Sequence, residues 1–193
     1  MPLQKSYLAI APDLPGCGLT FRIDVHGLFF RETEENLVTD IMDALGLPRA
    51  HLIGLSMGGY FALVFALKHP ERVDKLILIG EPVGSSPPSR WKKVVASSDM
   101  RTPEHPTMED IRRAWVVTTV AHIERVAREI FEADYVDEEL PGYISSWNSM
   151  LDALATDPNA GLTYGLRPEL KNLRPNTLFF WGDKDYFGPP SEG

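Results

Sequence analysis

One stretch constrains this chain more than any other: His51-Leu52-Ile53-Gly54-Leu55-Ser56-Met57-Gly58-Gly59-Tyr60. Apolar and β-prone residues run into Gly-x-Ser-x-Gly, and a nearly unbroken apolar run follows to Leu67. That order reads as strand, tight turn and buried helix, with a serine hydroxyl lifted above the sheet at a strained bend. Gly54 and Gly58 stand two residues to either side of Ser56, where a Cβ is expected to crowd the bend. A helix starting directly after Ser56 brings unpaired N–H groups and the positive end of its dipole beside the hydroxyl. A nucleophile that passes through an oxyanion needs those surroundings. The plainer reading is a glycine turn whose serine caps the helix.

Composition narrows what such a turn can serve. With 193 residues, 44% hydrophobic and 24% charged, the chain suits one globular domain with room for an insertion. No apolar run is long enough to span a bilayer, and the opening Met1-Pro2-Leu3-Gln4-Lys5 lacks the pattern of a signal peptide. The single cysteine, Cys17, excludes an internal disulfide and fits a reducing compartment, so a cytoplasmic location is expected. A formal charge of −8 disfavours nucleic acid and anionic membrane as partners. No Cys/His cluster has zinc spacing and no glycine-rich loop carries a phosphate-binding lysine, so neither a metal nor an organic cofactor is expected.

Along the chain, Tyr7-Leu8-Ala9-Ile10-Ala11 reads as a buried strand stopped by Pro12, and Asp13 to Gly18 as a turn with Cys17 a small filler. Leu37, Ile41 and Leu45 recur at helical spacing from Thr33 and stop at Gly46 and Pro48. The helix after Ser56 is apolar on nearly every side and ends at His69-Pro70. Lys75 to Ile79 is a further buried strand, and strands alternating with helices indicate a parallel sheet covered on both faces. Glu81 to Ser89 has linker composition. From about 90 to 168 only helical patterns occur. One opens at Thr107 with Asp110 three residues on and runs through Ile111, Trp115, Ile123, Val126, Ile130 and Phe131; another follows Pro141. The Trp and Tyr residues there suit the core of a small helical layer, or else the lining of a ligand box. Thr177 to Trp181 returns to strand character, and Gly182-Asp183-Lys184-Asp185 turns.

In three blocks the sequence resembles the α/β-hydrolase fold superfamily: Ala11-Pro12-Asp13-Leu14-Pro15-Gly16-Cys17-Gly18, Gly54-Leu55-Ser56-Met57-Gly58-Gly59, and Trp181-Gly182-Asp183-Lys184-Asp185. The resemblance implies an α/β fold with a partial parallel sheet and an all-helical cap. It divides the chain into a first core part (1–81), a cap (82–172) and a last strand with its acid turn (173–193). It also implies that Ser56 is the nucleophile, that Asp185 is the acid orienting a histidine, and that the backbone N–H of Met57 supplies half of an oxyanion hole. Glu81, after the preceding strand, is the alternative acid.

Two departures stand beside that resemblance. The family's triad runs Ser, acid, His along the chain, yet none of the five histidines (His26, His51, His69, His105, His122) follows Asp185. Only six residues precede the Tyr7 strand, where the family places three strands and an oxyanion loop. The expectation is a hydrolase fragment cut at both ends. The resemblance implies a cofactor-free serine hydrolase acting on a small ester or related acyl substrate, with C–C bond hydrolysis and haloperoxidase chemistry open to the same triad. The acidic chain and the aromatic residues of the cap point to a small, apolar and neutral substrate. The competing expectation is an inactive fragment or a binding module that keeps the fold.

Overall fold

The computed structural model describes residues 5–14, 17–20, 31–80, 96–97, 101–118, 122–156 and 166–185. Helix α1 (Arg31–Ala44) leads to strand β1 (Ala50–Leu55), helix α2 (Met57–Lys68) and strand β2 (Val73–Ile79). Helices α3 (Met108–Thr118), α4 (Arg128–Glu138) and α5 (Tyr143–Thr156) follow, and strand β3 (Asn176–Phe180) closes the sheet. The sheet has three strands in the order β1-β2-β3. Both ladders are parallel, with Leu55 beside Ile79 and Ile79 beside Phe180.

The all-round apolar character of α2 is explained by its surroundings. Residues 59–66 of this helix are all buried, pressed between β1 and β2 on one side and α1 on the other. Leu63, Phe65, Leu76 and Leu78 form the centre of the core, joined by Met42 from α1 and Leu166 from the turn before β3. Helix α1 ends where Gly46 adopts a φ of +64°. There the Gly46 N–H donates to Asp43 O and the Leu47 N–H to Met42 O, the paired bonds that close a helix through a left-handed glycine. Arg72 fastens this corner by donating to the Asp43 carboxylate at 2.7 Å and to Leu47 O at 3.0 Å.

The opposite face of the sheet, expected from the strand–helix alternation to be covered as well, is open among the described residues. Ile53, Leu55, Leu178 and Phe180 share it and remain 51–59% exposed.

Two expectations need correction. Tyr7 to Ala11 forms no strand: its backbone is irregular and Leu8 is 80% exposed. A strand exists only by pairing, and among the described residues β1 pairs on one side alone, with β2. Tyr7 meets the sheet through its ring, edge-on to His51 at 5.8 Å. The sheet therefore has three described strands rather than four.

The pattern from Thr107 to Phe131 is two helices, not one. Helix α3 ends at Thr118 and α4 starts at Arg128, with a short 3₁₀ turn at Ile123–Arg125 between them. The run Val116-Val117-Thr118-Thr119-Val120 is β-branched throughout, a composition of lowered helix propensity. The start of α3 is as expected. Asp110 Oδ2 accepts the Thr107 N–H at 2.9 Å and Thr107 Oγ1 accepts the Asp110 N–H at 3.2 Å, a reciprocal capping box. Within this layer Trp115 stacks edge-on against Phe131 at 5.2 Å, and Ile111, Phe131 and Leu151 are buried. Of the aromatic residues here Phe131 is buried, and Trp115, Tyr135, Tyr143 and Trp147 are half-buried. No strand occurs among the described residues between 90 and 168. The linker from Glu81 to Ser89, and with it the boundary at 81/82, lies outside the described residues.

Candidate active site

Ser56 sits between the last residue of β1 and the first of α2. Its φ of +48° and ψ of −119° make it the one non-glycine residue with positive φ among those described. A serine pays for that conformation with backbone strain, and the surrounding bonds hold it there. Its N–H donates to Ile79 O at 2.9 Å, and its carbonyl accepts the Tyr60 N–H at 3.1 Å as the first helical bond. Its side chain makes no capping bond to α2. The capping alternative is therefore excluded, and the hydroxyl is left exposed at the mouth of the bend. Met57 opens the helix, so its N–H points with the other first-turn amides toward the space beside Ser56.

The bend is possible because of glycine, though not at both positions anticipated. A Cβ on Gly54 would collide with the carbonyl oxygen of Gly58 and lie 2.5 Å from Gly59 Cα. A Cβ on Gly58 would meet nothing within 4 Å. The tight approach is therefore between Gly54 and Gly59, where helix and strand backbones touch.

Asp185 reaches the same edge of the sheet from the other side. Strand β3 ends at Phe180, and the turn after it closes with the Asp185 N–H donating to Gly182 O at 3.3 Å. The Asp185 carboxylate lies against Gly80, with Oδ2 3.5 Å from where a Cβ on that residue would be. Gly80 has a φ of +56°, and its N–H donates to Phe180 O at 2.9 Å. The end of β2 thus carries both candidates. Ile79 receives the Ser56 amide, and Gly80 seats the Asp185 carboxylate. Sequence reasoning passed over Gly80; a glycine closing the apolar run Leu76 to Ile79 was its only signal. Glu81, the alternative acid, lies outside the described residues, as does His26.

The described histidines have other places. His51 is the second residue of β1, against Tyr7 and toward the far end of the strand from Ser56. His69 follows the last residue of α2, a helix length of about 18 Å from Ser56. Its ring lies 5.0 Å from that of Phe65. His122 is exposed and 3.1 Å from Glu124, and His105 is exposed before α3. Among the described residues no group of three or more His, Cys, Asp or Glu side chains could hold a metal ion. A shallow groove lined by Arg49, Asp74, Arg174 and Asn176 opens at the opposite end of the strands from Ser56. Its Arg49 is already committed to Asp74 at 2.6 Å.

The family model described as alpha/beta hydrolase fold matches residues 2–193. The chain belongs to the α/β-hydrolase fold family. Similar proteins include a 2-hydroxy-6-oxononadienedioate/2-hydroxy-6-oxononatrienedioate hydrolase of Burkholderia vietnamiensis. It is 30% identical over 193 residues, which cover 98% of this chain and 64% of that protein. A 2-hydroxy-6-oxo-6-phenylhexa-2,4-dienoate hydrolase of Burkholderia cepacia is 29% identical, with 99% and 65% covered. Among solved structures, a meta-cleavage product hydrolase from Pseudomonas fluorescens superposes with a TM-score of 0.75 at 26% identity, covering 98% of this chain and 66% of that one. The chain thus spans just under two thirds of the length of the relatives it matches. No helix among its described residues is long and apolar enough to cross a membrane.

Proposed function

We propose that this α/β-hydrolase chain carries the nucleophile and the acid of a serine hydrolase acting on a small carbonyl compound. The observation that carries the reading is the free Ser56 hydroxyl at a positive-φ bend, beside the unpaired amides of α2 and on the same sheet edge as Asp185. Ser56 Oγ attacks the carbonyl carbon, and its proton passes to a base. The Met57 N–H stabilises the resulting oxyanion. Collapse expels the leaving group with a proton, and water then releases the acyl group as a carboxylic acid. Asp185 orients the base.

The similar proteins are named for oxo acids bearing carboxylates. That supports a 6-oxo dienoate as substrate, cleaved at the carbon–carbon bond beside the ketone, in place of the neutral ester expected from composition. Glu81 remains the alternative acid. The base is a histidine that the 193 residues do not supply after Asp185. This supports a second reading, in which the chain by itself binds without turning over.

Chemical rescue tests both readings. A fluorophosphonate probe should label the chain slowly at Ser56, mapped by mass spectrometry, and added imidazole should accelerate labelling at least tenfold by accepting the hydroxyl proton. Ser56→Ala should remove the adduct. Labelling spread over other serines, or insensitive to Ser56→Ala, rules out Ser56 as nucleophile. Fast labelling without imidazole would place a working base among the chain's own histidines.

A further inference from the structure

We propose that the α3–α4–α5 layer is a proton-dependent latch, in which Glu138 is a neutral acid when the layer is packed and the layer loosens as Glu138 ionises. Glu138 is the last residue of α4, and its Oε2 is buried with no hydrogen-bond partner. Asn148 on α5 presents a second such atom, Oδ1. Both side chains converge on Thr102. The Thr102 side chain hydrogen-bonds the Glu138 carboxyl, and the Thr102 carbonyl accepts the Asn148 Nδ2–H at 3.0 Å. Two buried acceptor atoms without partners, on side chains that both meet Thr102, are an arrangement proteins avoid. One proton on Glu138 converts an acceptor into a donor, and Asn148 Oδ1, held at the same Thr102, is the oxygen it would serve.

The charges that face Glu138 favour that proton. Asp134 lies one turn earlier on α4, its Oδ2 accepting the Trp115 Nε1–H at 2.8 Å. Asp110 on α3 adds a second negative charge and is kept ionised by its hydrogen bonds from Thr107 and by Arg113. Tyr143 on α5 sits among Asp134, Asp137, Glu138 and Cys17, and burial pushes its phenol up so that it stays neutral. The nearby cations are engaged elsewhere: Arg113 with Asp110, Arg101 with Asp152 and Arg128 with Glu132. Burial first, then the Asp134 charge, raise the Glu138 carboxyl to about 7, against the pull of Thr102.

The direction follows from linkage. A carboxyl at 4.5 when unpacked and about 7 when packed stabilises the packed layer fully below pH 4.5. That stabilisation declines from there and is gone above about 7. The equilibrium constant for opening should therefore rise on the order of 100-fold between pH 5 and 8.

Hydrogen exchange of the α4 and α5 amides, corrected for the intrinsic pH dependence of exchange, reads that constant directly. Wild type should show the rise, and Glu138→Gln, whose amide can donate to Asn148 Oδ1, should stay closed and flat. As a control for the chain's histidines, the variant His105→Gln/His122→Gln should retain the wild-type curve. If Glu138→Gln does not fold, a carbon-13 titration of Glu138 in the unmodified chain decides. A midpoint near 4.5, a flat wild-type opening constant, or an unchanged pH dependence in Glu138→Gln each overturn the proposal.

Discussion

At Gly54 the backbones of strand and helix touch, leaving 2.5 Å between Gly59 Cα and any added Cβ. Gly54→Ala must push β1 away from α2 or shift the first turn of the helix, and both sides of that contact are backbone with no soft atoms to yield. The expected loss is about 3 kcal/mol or more, in the range seen when a core is overpacked. Denaturant unfolding checks this, with Gly58→Ala as the control. Open space around Gly58 predicts a change within about 1 kcal/mol. The same scale separates Ser56 from an ordinary cap. Its sequence neighbours could not tell the two apart, because serine is favoured both at a helix N-cap and at a nucleophile bend. The backbone angles and the absence of a capping bond make the distinction.

Among elements, the helix α1 and the turn before β2 share one fastening. Arg72 donates to Asp43 and Leu47 O, with its guanidinium 6.0 Å from the centre of the Phe65 ring. Because the Arg72 side chain is only 19% exposed, Arg72→Ala removes packing as well as a charge-assisted bond. A loss of about 1–2 kcal/mol in thermal or denaturant unfolding is expected.

Elements of this kind were legible in the sequence wherever a local signal was complete. The apolar runs of β1, β2 and β3 each fall within two residues of their structural bounds, Gly46 marks the end of α1, and Thr107 with Asp110 marks the start of α3. Legibility failed where the deciding partner lies elsewhere in the chain. Tyr7 to Ala11 has strand composition but no ladder beside it, and composition carries no information about a partner. The break after Thr118 was written in its β-branched run, yet the recurrence of apolar residues across it concealed it. In the candidate site Ser56 and Asp185 were readable from motif. Gly80 was not, because its service to Asp185 crosses from β2 to the turn after β3.

Across the whole molecule, the parallel sheet joins regions of very different separation. Helix α1, β1, α2 and β2 are consecutive and pack on one another within residues 31–79. Strand β3 pairs Lys75 with Asn176, about a hundred residues further along. Closing so long a loop costs entropy before any ladder bond compensates, so contacts of this kind form late. Pulse-labelled hydrogen exchange during refolding should protect the α2 and β2 amides before those of β3. Simultaneous protection would show that β3 belongs to the folding nucleus. Timing then matters for chemistry as well as for structure. On a growing chain the Ser56 bend can be complete while Asp185 has yet to be synthesised, so the proposed nucleophile precedes the carboxylate proposed to orient its base. A candidate centre divided in this way between early and late segments is assembled only once β3 has joined the sheet.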